Sequence, residues 1–334
     1  MSVTIVPHLW FDREAREAAG FYASVFPDSK VIGVTRLHDT PSGDCDVVRF
    51  ELSGQKFLAI SAGPLFTFNP SVSFLLNFDP SKDRRARENL DTLWKSLSQD
   101  GKVLMPLDRY PFSERYGWIQ DRYWLSWQLI LTNPEGEERP FIIPSLMFSG
   151  AVYGKAQEAS DFYLSVFGHS KRGTMVRFPA GMDPHREGTI MFTDFRLENQ
   201  WFAAMDSAGE HASFNEAVSF PVQCDTKEEI DRYWTKLSAI PDAEQCGWLK
   251  DRYGLSWQIV PAAMDEMMRS KNPERVSRVT RAFLKMKKVD IAALRKAYGG
   301  KQALPFCPSL VKKGSSSDLR RDSSPELPAH PLSD

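Results

Sequence analysis

Only four cysteines occur in 334 residues, Cys45, Cys224, Cys246 and Cys307, and no two of them form a C-x-x-C. A disulfide framework or a cysteine-rich metal knuckle is therefore not expected, and the thiols read as reduced. Charge of one sign is also missing. The chain carries 42 Lys and Arg against 43 Asp and Glu, a formal net charge of -1, so no nucleic acid and no anionic membrane is expected as a partner. No run reaches the roughly 18 apolar residues of a spanning helix. The N-terminal Met1-Ser2-Val3-Thr4 lacks the basic start of a secretory signal. A soluble, cytoplasmic chain is the expectation. There is no G-x-G-x-x-G, no Gly-Lys-Ser/Thr phosphate loop and no H-E-x-x-H. Those absences exclude a dinucleotide fingerprint, a P-loop and a zincin helix, and they remove the glycine-rich turn on which a methyl-donor site would rest.

What is present is a long repeat. Gly117-Trp118-Ile119-Gln120-Asp121-Arg122-Tyr123-Trp124-Leu125-Ser126-Trp127-Gln128 returns as Gly247-Trp248-Leu249-Lys250-Asp251-Arg252-Tyr253-Gly254-Leu255-Ser256-Trp257-Gln258, with nine of twelve positions identical at an offset of 130. Around it the chain reads as strand, helix and three strands, four times over. A β-branched strand over 3–11 leads into a helix over 13–26 capped by Asp12, with Ala15, Ala18, Ala19, Tyr22 and Val25 on one face. Strands near 30–37, 46–52 and 56–62 follow. A second βαβββ unit begins at 71–78 and ends at 126–132, with 107–115 as an extra loop at a pocket rim. The polar stretch 133–140 separates the halves, and the second half repeats the plan. Domains are therefore expected at 1–140 and 141–300. The latter carries a helical extension from 262, and the Pro/Ser/charge-rich tail from 301 is expected to be disordered.

Strand alternation puts Ser126 and Gln128 on one face and Trp127 and Leu129 on the other, with Ser256 and Gln258 in the same relation. These polar residues either bind a ligand or satisfy neighbouring backbone. Trp118, Trp127, Trp248 and Trp257 either pack the core or form an aromatic wall. Asp121-Arg122 and Asp251-Arg252 read as a structural ion pair or turn cap rather than an acid–base pair.

Pro-x-Leu-x-Phe, a helix ending Phe-Tyr-x-x-Val-Phe, Gly-Gln-x-Phe, Phe-Asn-x-x-Val-Ser-Phe and Gly-Trp-Leu-Lys-Asp-Arg-Tyr-Gly-Leu-Ser-Trp-Gln together resemble the PhnB-like branch of the vicinal-oxygen-chelate superfamily. That branch carries the label 3-demethylubiquinone-9 3-methyltransferase. The superfamily includes glyoxalase I, extradiol dioxygenases and bleomycin-resistance proteins. The resemblance implies an α+β fold of tandem domains, each of paired βαβββ units forming a cup-shaped sheet, with the two domains docked as an intramolecular pseudo-dimer. It also implies a small-molecule ligand inside a cup. The relatives' first-strand metal position falls on Pro7 and Pro144, and the terminal-strand glutamate position on Gln128 and Gln258. No metal and no cofactor is therefore expected. His8, one residue on from Pro7, is expected on the opposite face. Asp206 and His211 fall near a rim by analogy. The ligand candidates are Ser256, Gln258, Trp248, Asp206, Ser126 and Gln128. The second half is the favoured working half, because Trp124 replaces the glycine of the second copy and would fill or reshape the first cup. The expected function is a metal-independent enzyme on an oxygenated metabolite, or alternatively a non-catalytic sequestration protein, with methyl transfer disfavoured.

Overall fold

The structure, a computed structural model, describes residues 3–133, 137–209 and 212–300. The tail from 301 and His211 lie outside them. Four units follow one another. The first holds β1 (Thr4–Ile5), β2 (His8–Phe11), α1 (Ala15–Val25), β3 (Lys30–Thr40), β4 (Gly43–Leu52) and β5 (Gln55–Ser61). The second holds β6 (Val72–Phe78), α2 (Ala86–Ser98), β7 (Lys102–Tyr110), β8 (Ser113–Gln120) and β9 (Ser126–Leu131). The third holds β10 (Ile142–Ser149), α3 (Ala156–Val166), β11 (Ser170–Arg177), β12 (Ile190–Leu197) and β13 (Gln200–Ser207). The fourth holds β14 (Val218–Cys224), α4 (Lys227–Leu237), β15 (Trp248–Lys250) and β16 (Ser256–Pro261), followed by α5 (Ala262–Met268), α6 (Pro273–Phe283) and α7 (Ile291–Gly299).

The helices form where spacing and caps direct them. In α1 the buried residues Ala15, Ala18, Ala19 and Tyr22 recur at three- and four-residue intervals and face the sheet. Asp12 does not cap it. The helix starts behind Glu14 without a side-chain cap, and the Ala15 N–H donates to Ser61 Oγ at 3.2 Å. Thr226 and Glu229 form a reciprocal capping box on α4, satisfying two donors the helix cannot. The strand expected over 3–11 is split by Val6 and Pro7, since proline has no N–H for the ladder. The segment 107–115 is not a loop: it is the outer part of the β7–β8 hairpin, paired from Lys102↔Gln120 to Tyr110↔Ser113.

Two open sheets result, and neither follows the sequence halves. The first runs β15-β16-β14-β2-β5-β4-β3, with β1 alongside β14, and the second runs β11-β12-β13-β10-β6-β9-β8-β7. In each, the opening strands of two units meet antiparallel, β14 with β2 and β10 with β6. Unit one thus shares a cup with unit four, and unit two with unit three. Each half lends one unit to each cup, which fits an intramolecular pseudo-dimer. The helical faces of both sheets enclose one continuous core that contains Tyr22, Trp127, Tyr163 and Trp257. Burying each such side chain contributes roughly 2–3 kcal/mol. Among the described residues no helix is long and apolar enough to cross a membrane.

The fourth unit departs from the plan. It has no strand between α4 and β15, only a short 3-10 turn at Pro241–Ala243. The N–H groups of Cys246 and Gly247 instead donate to the carbonyls of Met286 and Lys287, at 2.8 and 2.7 Å. The extension α5–α7 therefore reaches beyond the second half: α5 touches β16, while α6 touches β3 of the first unit.

Candidate functional site

The duplicated stretch does two jobs on two faces. On the helical side, Asp121 Oδ1 accepts the N–H groups of Tyr123 and Leu125, and Oδ2 accepts Tyr22 Oη and Trp127 Nε1. Asp251 repeats every contact with Tyr253, Leu255, Tyr163 and Trp257. Burial pushes both carboxyls up to about 6, against those four donors. Both aspartates are turn anchors. The neighbouring guanidiniums stack instead, Arg122 over Phe21 at 4.6 Å and Arg252 over Phe162 at 4.3 Å. Trp127 and Trp257 are core.

The other face is the interior of each cup. Ser126, Gln128 and Trp118 point into the second sheet's cup, and Ser256, Gln258 and Trp248 into the first. Register pairs draw one row across each cup. In the first it reads Lys250, Ser256, Ser219, His8, Leu58, Arg49. In the second it reads Gln120, Ser126, Ser73, Ser145, Ala203, Asp194. The rows match position for position, so their differences can be read as chemistry.

The second sheet's row is internally satisfied. Gln128 Oε1 accepts from Tyr116 Oη at 2.8 Å, and its Nε2 donates to Ser73 Oγ at 2.7 Å and Ser145 Oγ at 3.4 Å. Trp118 Nε1 donates to Ser126 Oγ at 2.7 Å. Asp194 receives Arg139 Nε at 2.6 Å, and the same guanidinium lies 3.8 Å over the Trp201 ring. Leu75, Ile143, Trp201, Ala203 and Met147 are buried beside them. Tyr110 and Phe112, from the hairpin tip, pack on Tyr116. The polar atoms of this cup's row are claimed by its own side chains.

The first sheet's row is not. Gln258 Nε2 donates to Ser219 Oγ at 2.9 Å, which lies 3.4 Å from His8 Nδ1. The Tyr116 position is Cys246 here, and among the described residues no side chain donates to Gln258 Oε1. The buried Ser256 Oγ has no partner, because Trp248 does not repeat the bond from Trp118. Instead Trp248 packs edge-on against His8 and Trp10, with centroids 5.4 and 6.2 Å away. Trp10, Leu58, Ile60 and Trp248 remain half-buried. Burial lowers the His8 imidazole to about 4, so it is neutral at pH 7 and offers both a donor and an acceptor.

Three expectations are corrected here. His8 faces the cup interior, and so does Ser145. The ladder begins at His8 opposite Ser219 and Leu58, whereas Pro7 precedes it and only its carbonyl takes part, accepting from the Leu58 N–H. Asp206 belongs to no cup floor: its oxygens accept the N–H groups of Ala156 and Ile190, tying the start of α3 to β12. Trp124 fills no cup; it sits on the turn, 58% exposed, at φ 68. Sequence reasoning also passed over Tyr116, Ser73, Ser219, Trp10 and Arg49. Only the strand register, which needs the partner unit, could have assigned them to a face.

A cleft of about 860 Å³ opens between the end of α1, α2 and residues 137–141. Neither Gln128 nor Gln258 lines it, whereas Arg139 and Asp194, at the far end of the second sheet's row, do. Among the described residues no group of three or more His, Cys, Asp or Glu is placed to hold a metal ion. The donor set of the first sheet's cup is one imidazole, one carboxamide and hydroxyls.

Two cup-shaped sheets in one chain, each assembled from two repeated units, define a tandem protein of the glyoxalase and vicinal-oxygen-chelate fold. The chain belongs to the 3-demethylubiquinone-9 3-methyltransferase family, whose model matches residues 3–130 and again residues 140–260. A PhnB protein of Bacillus cereus, described by the same activity, is 35% identical over 38% of this chain and 98% of its own, with a TM-score of 0.34. Glyoxalase I of Zea mays is 11% identical over 78% of this chain and 93% of its own, with a TM-score of 0.46. A glyoxylase/bleomycin resistance protein/dioxygenase domain of Frankia is 14% identical over 39% of this chain and 90% of its own, with a TM-score of 0.28. No curated protein matches the chain.

Proposed function

We propose that the chain acts on a small oxygenated metabolite held in the cup of units one and four. The observation that carries this reading is the unequal satisfaction of two otherwise matching polar rows. A buried hydroxyl left unpaired costs about 1–3 kcal/mol; Ser256 bears that cost where Ser126 does not, and a ligand that shifts the floor enough to reach its Oγ would recover it. Gln258 Oε1 and the neutral His8 supply further polar contacts, and Trp10 and Trp248 supply an aromatic wall of the kind that orients flat ligands. In this reading His8 is the group placed to exchange a proton with the ligand, and Gln258 and Ser256 orient it. Methyl transfer, which the family's name suggests, is not proposed: among the described residues no glycine-rich turn joins a strand to a helix N-terminus. Sequestration without turnover is the second reading, and one observation favours it. An imidazole lowered to about 4 is a weak general base at neutral pH.

The test is a tryptophan-fluorescence titration against a panel of small aromatic and keto-acid metabolites, followed by recovery and mass analysis of the ligand. Binding that is weakened by Ser256→Ala and whose signal is diminished in Trp248→Phe supports the site, and chemical change in the recovered ligand separates enzyme from sequestration. Binding indifferent to both substitutions would remove the first cup from consideration.

A further inference from the structure

We infer that the ligand of the first cup carries a carboxylate, and that Arg49 is its anchor. The inference rests on the working-cup reading above and adds the ligand's charge. Arg49 ends the polar row, two strands from His8 through Leu58, which places the two Cα atoms roughly 10 Å apart. Its side chain is 17% exposed. Nη1 donates to Thr35 Oγ1 at 3.2 Å. The carboxylate paired with it, Asp265 of α5, stops at 3.9 Å, beyond hydrogen-bond distance, and its other oxygen is held by Arg269. A guanidinium presents a planar fork that a carboxylate fills with two parallel bonds, and here that fork is only partly used. Glu51, the next residue on the same face of β4, stands in register between Lys30 and Lys56, and Asp265, the carboxylate nearest Arg49, is itself paired with Arg269. The matching position in the other cup makes the point by contrast. Asp194 stands there, already paired with Arg139, so that end of the row is closed. A flat ring bearing a carboxylate at one end and an oxygen at the other would reach from Arg49 to the Ser219–Gln258 floor, with Trp10 and Trp248 beside the ring.

The experiment compares matched pairs by calorimetry on the full chain: benzoate with benzamide, salicylate with salicylamide, cinnamate with cinnamamide. The wild type should bind at least one carboxylate roughly tenfold or more tightly than its amide, the range of a charge-assisted pair. Arg49→Gln should erase that preference, and Arg49→Lys should restore part of it with a steeper salt dependence. Thermal melts of each variant report whether it folds, and an unfolded Arg49→Gln leaves the decision to Arg49→Lys and to the wild-type preference. If carboxylate and amide bind alike and both are weakened by Gln258→Ala, the anion inference falls and the cup survives. If no carboxylate in the panel binds, or if neither Gln258→Ala nor Arg49→Gln weakens any ligand, the inference is overturned, in the second case together with the cup.

Discussion

The two cups are built from the same repeated unit, yet the polar row of one is satisfied and that of the other is not. In the cup of units two and three, Tyr116 closes on Gln128, Trp118 on Ser126 and Arg139 on Asp194. In the cup of units one and four, those three closures are replaced by Cys246, an unbonded Ser256 and an Arg49 whose fork is only partly paired. The difference teaches that the two faces of the repeat diverged unequally: the aspartate-centred turn keeps its structural duty in both copies, while the polar floor is internally satisfied in only one. The helical extension belongs with the cup of units one and four. It stands where the fourth unit lacks a strand and reaches β3 at the other end of the sheet.

The largest expected effect tests the shared half of this comparison. Asp121→Ala and Asp251→Ala each strand a tyrosine hydroxyl, an indole N–H and two backbone N–H groups in the core, and each should lose about 4 kcal/mol or more in denaturant melts. Unequal losses would show that the two turns are not equivalent anchors. Next is a pH dependence peculiar to the cup of units one and four. The folded pKa of His8, about 4, lies below its ordinary value of 6.5, so the unfolded chain takes up the proton first. Its contribution is complete above pH 6.5 and is lost as pH falls through about 4, by roughly 3 kcal/mol. Asp121 and Asp251, raised to about 6, act in the opposite direction, favouring the folded state below their unfolded value near 4 and losing that contribution as pH rises through about 6. The stability difference between wild type and His8→Gln, followed from pH 7 to pH 4, isolates the histidine. A flat difference would place His8 in water rather than in the floor.

How much of this was legible in the sequence depends on whether one strand or two were needed to see it. The repeat, the βαβββ order, and the face shared by Ser126 and Gln128 follow from a single strand's alternation. His8 was assigned to the wrong face because alternation was counted from Pro7, a residue outside the ladder. The partnership of unit one with unit four could not be read from similarity, since a repeat reports which units are alike and not which ones touch. For the same reason Arg49 and Asp194 are unremarkable alone and become informative only when the register sets them in matching places. Asp206 was placed near a rim by analogy, and nothing in its sequence neighbours announces that two backbone N–H groups, from Ala156 and Ile190, claim its carboxylate.

Smaller effects sharpen the contrast. Tyr116→Phe removes the hydroxyl that occupies Gln128 Oε1 and should cost about 1–2 kcal/mol, measured by urea melts; a neutral result would mean that the cup of units two and three is not held by this bond. Trp124→Gly places in the first copy the residue that the second copy has at φ 86, Gly254. Relief of the left-handed strain should outweigh the added unfolded-state freedom and stabilise the chain by up to about 1 kcal/mol. Destabilisation would indicate a packing role for an indole that is largely in solvent.

The most direct measurement is a paired one. Gln128→Ala and Gln258→Ala are made in the full chain, and each is assayed for thermal stability and for affinity toward a ligand that binds the wild type. Gln128→Ala should lower stability and leave affinity unchanged, because it empties a satisfied network. Gln258→Ala should weaken binding roughly tenfold or more at smaller cost in stability. The reverse pattern, with affinity lost in Gln128→Ala and kept in Gln258→Ala, would contradict the assignment of the working site to the cup of units one and four.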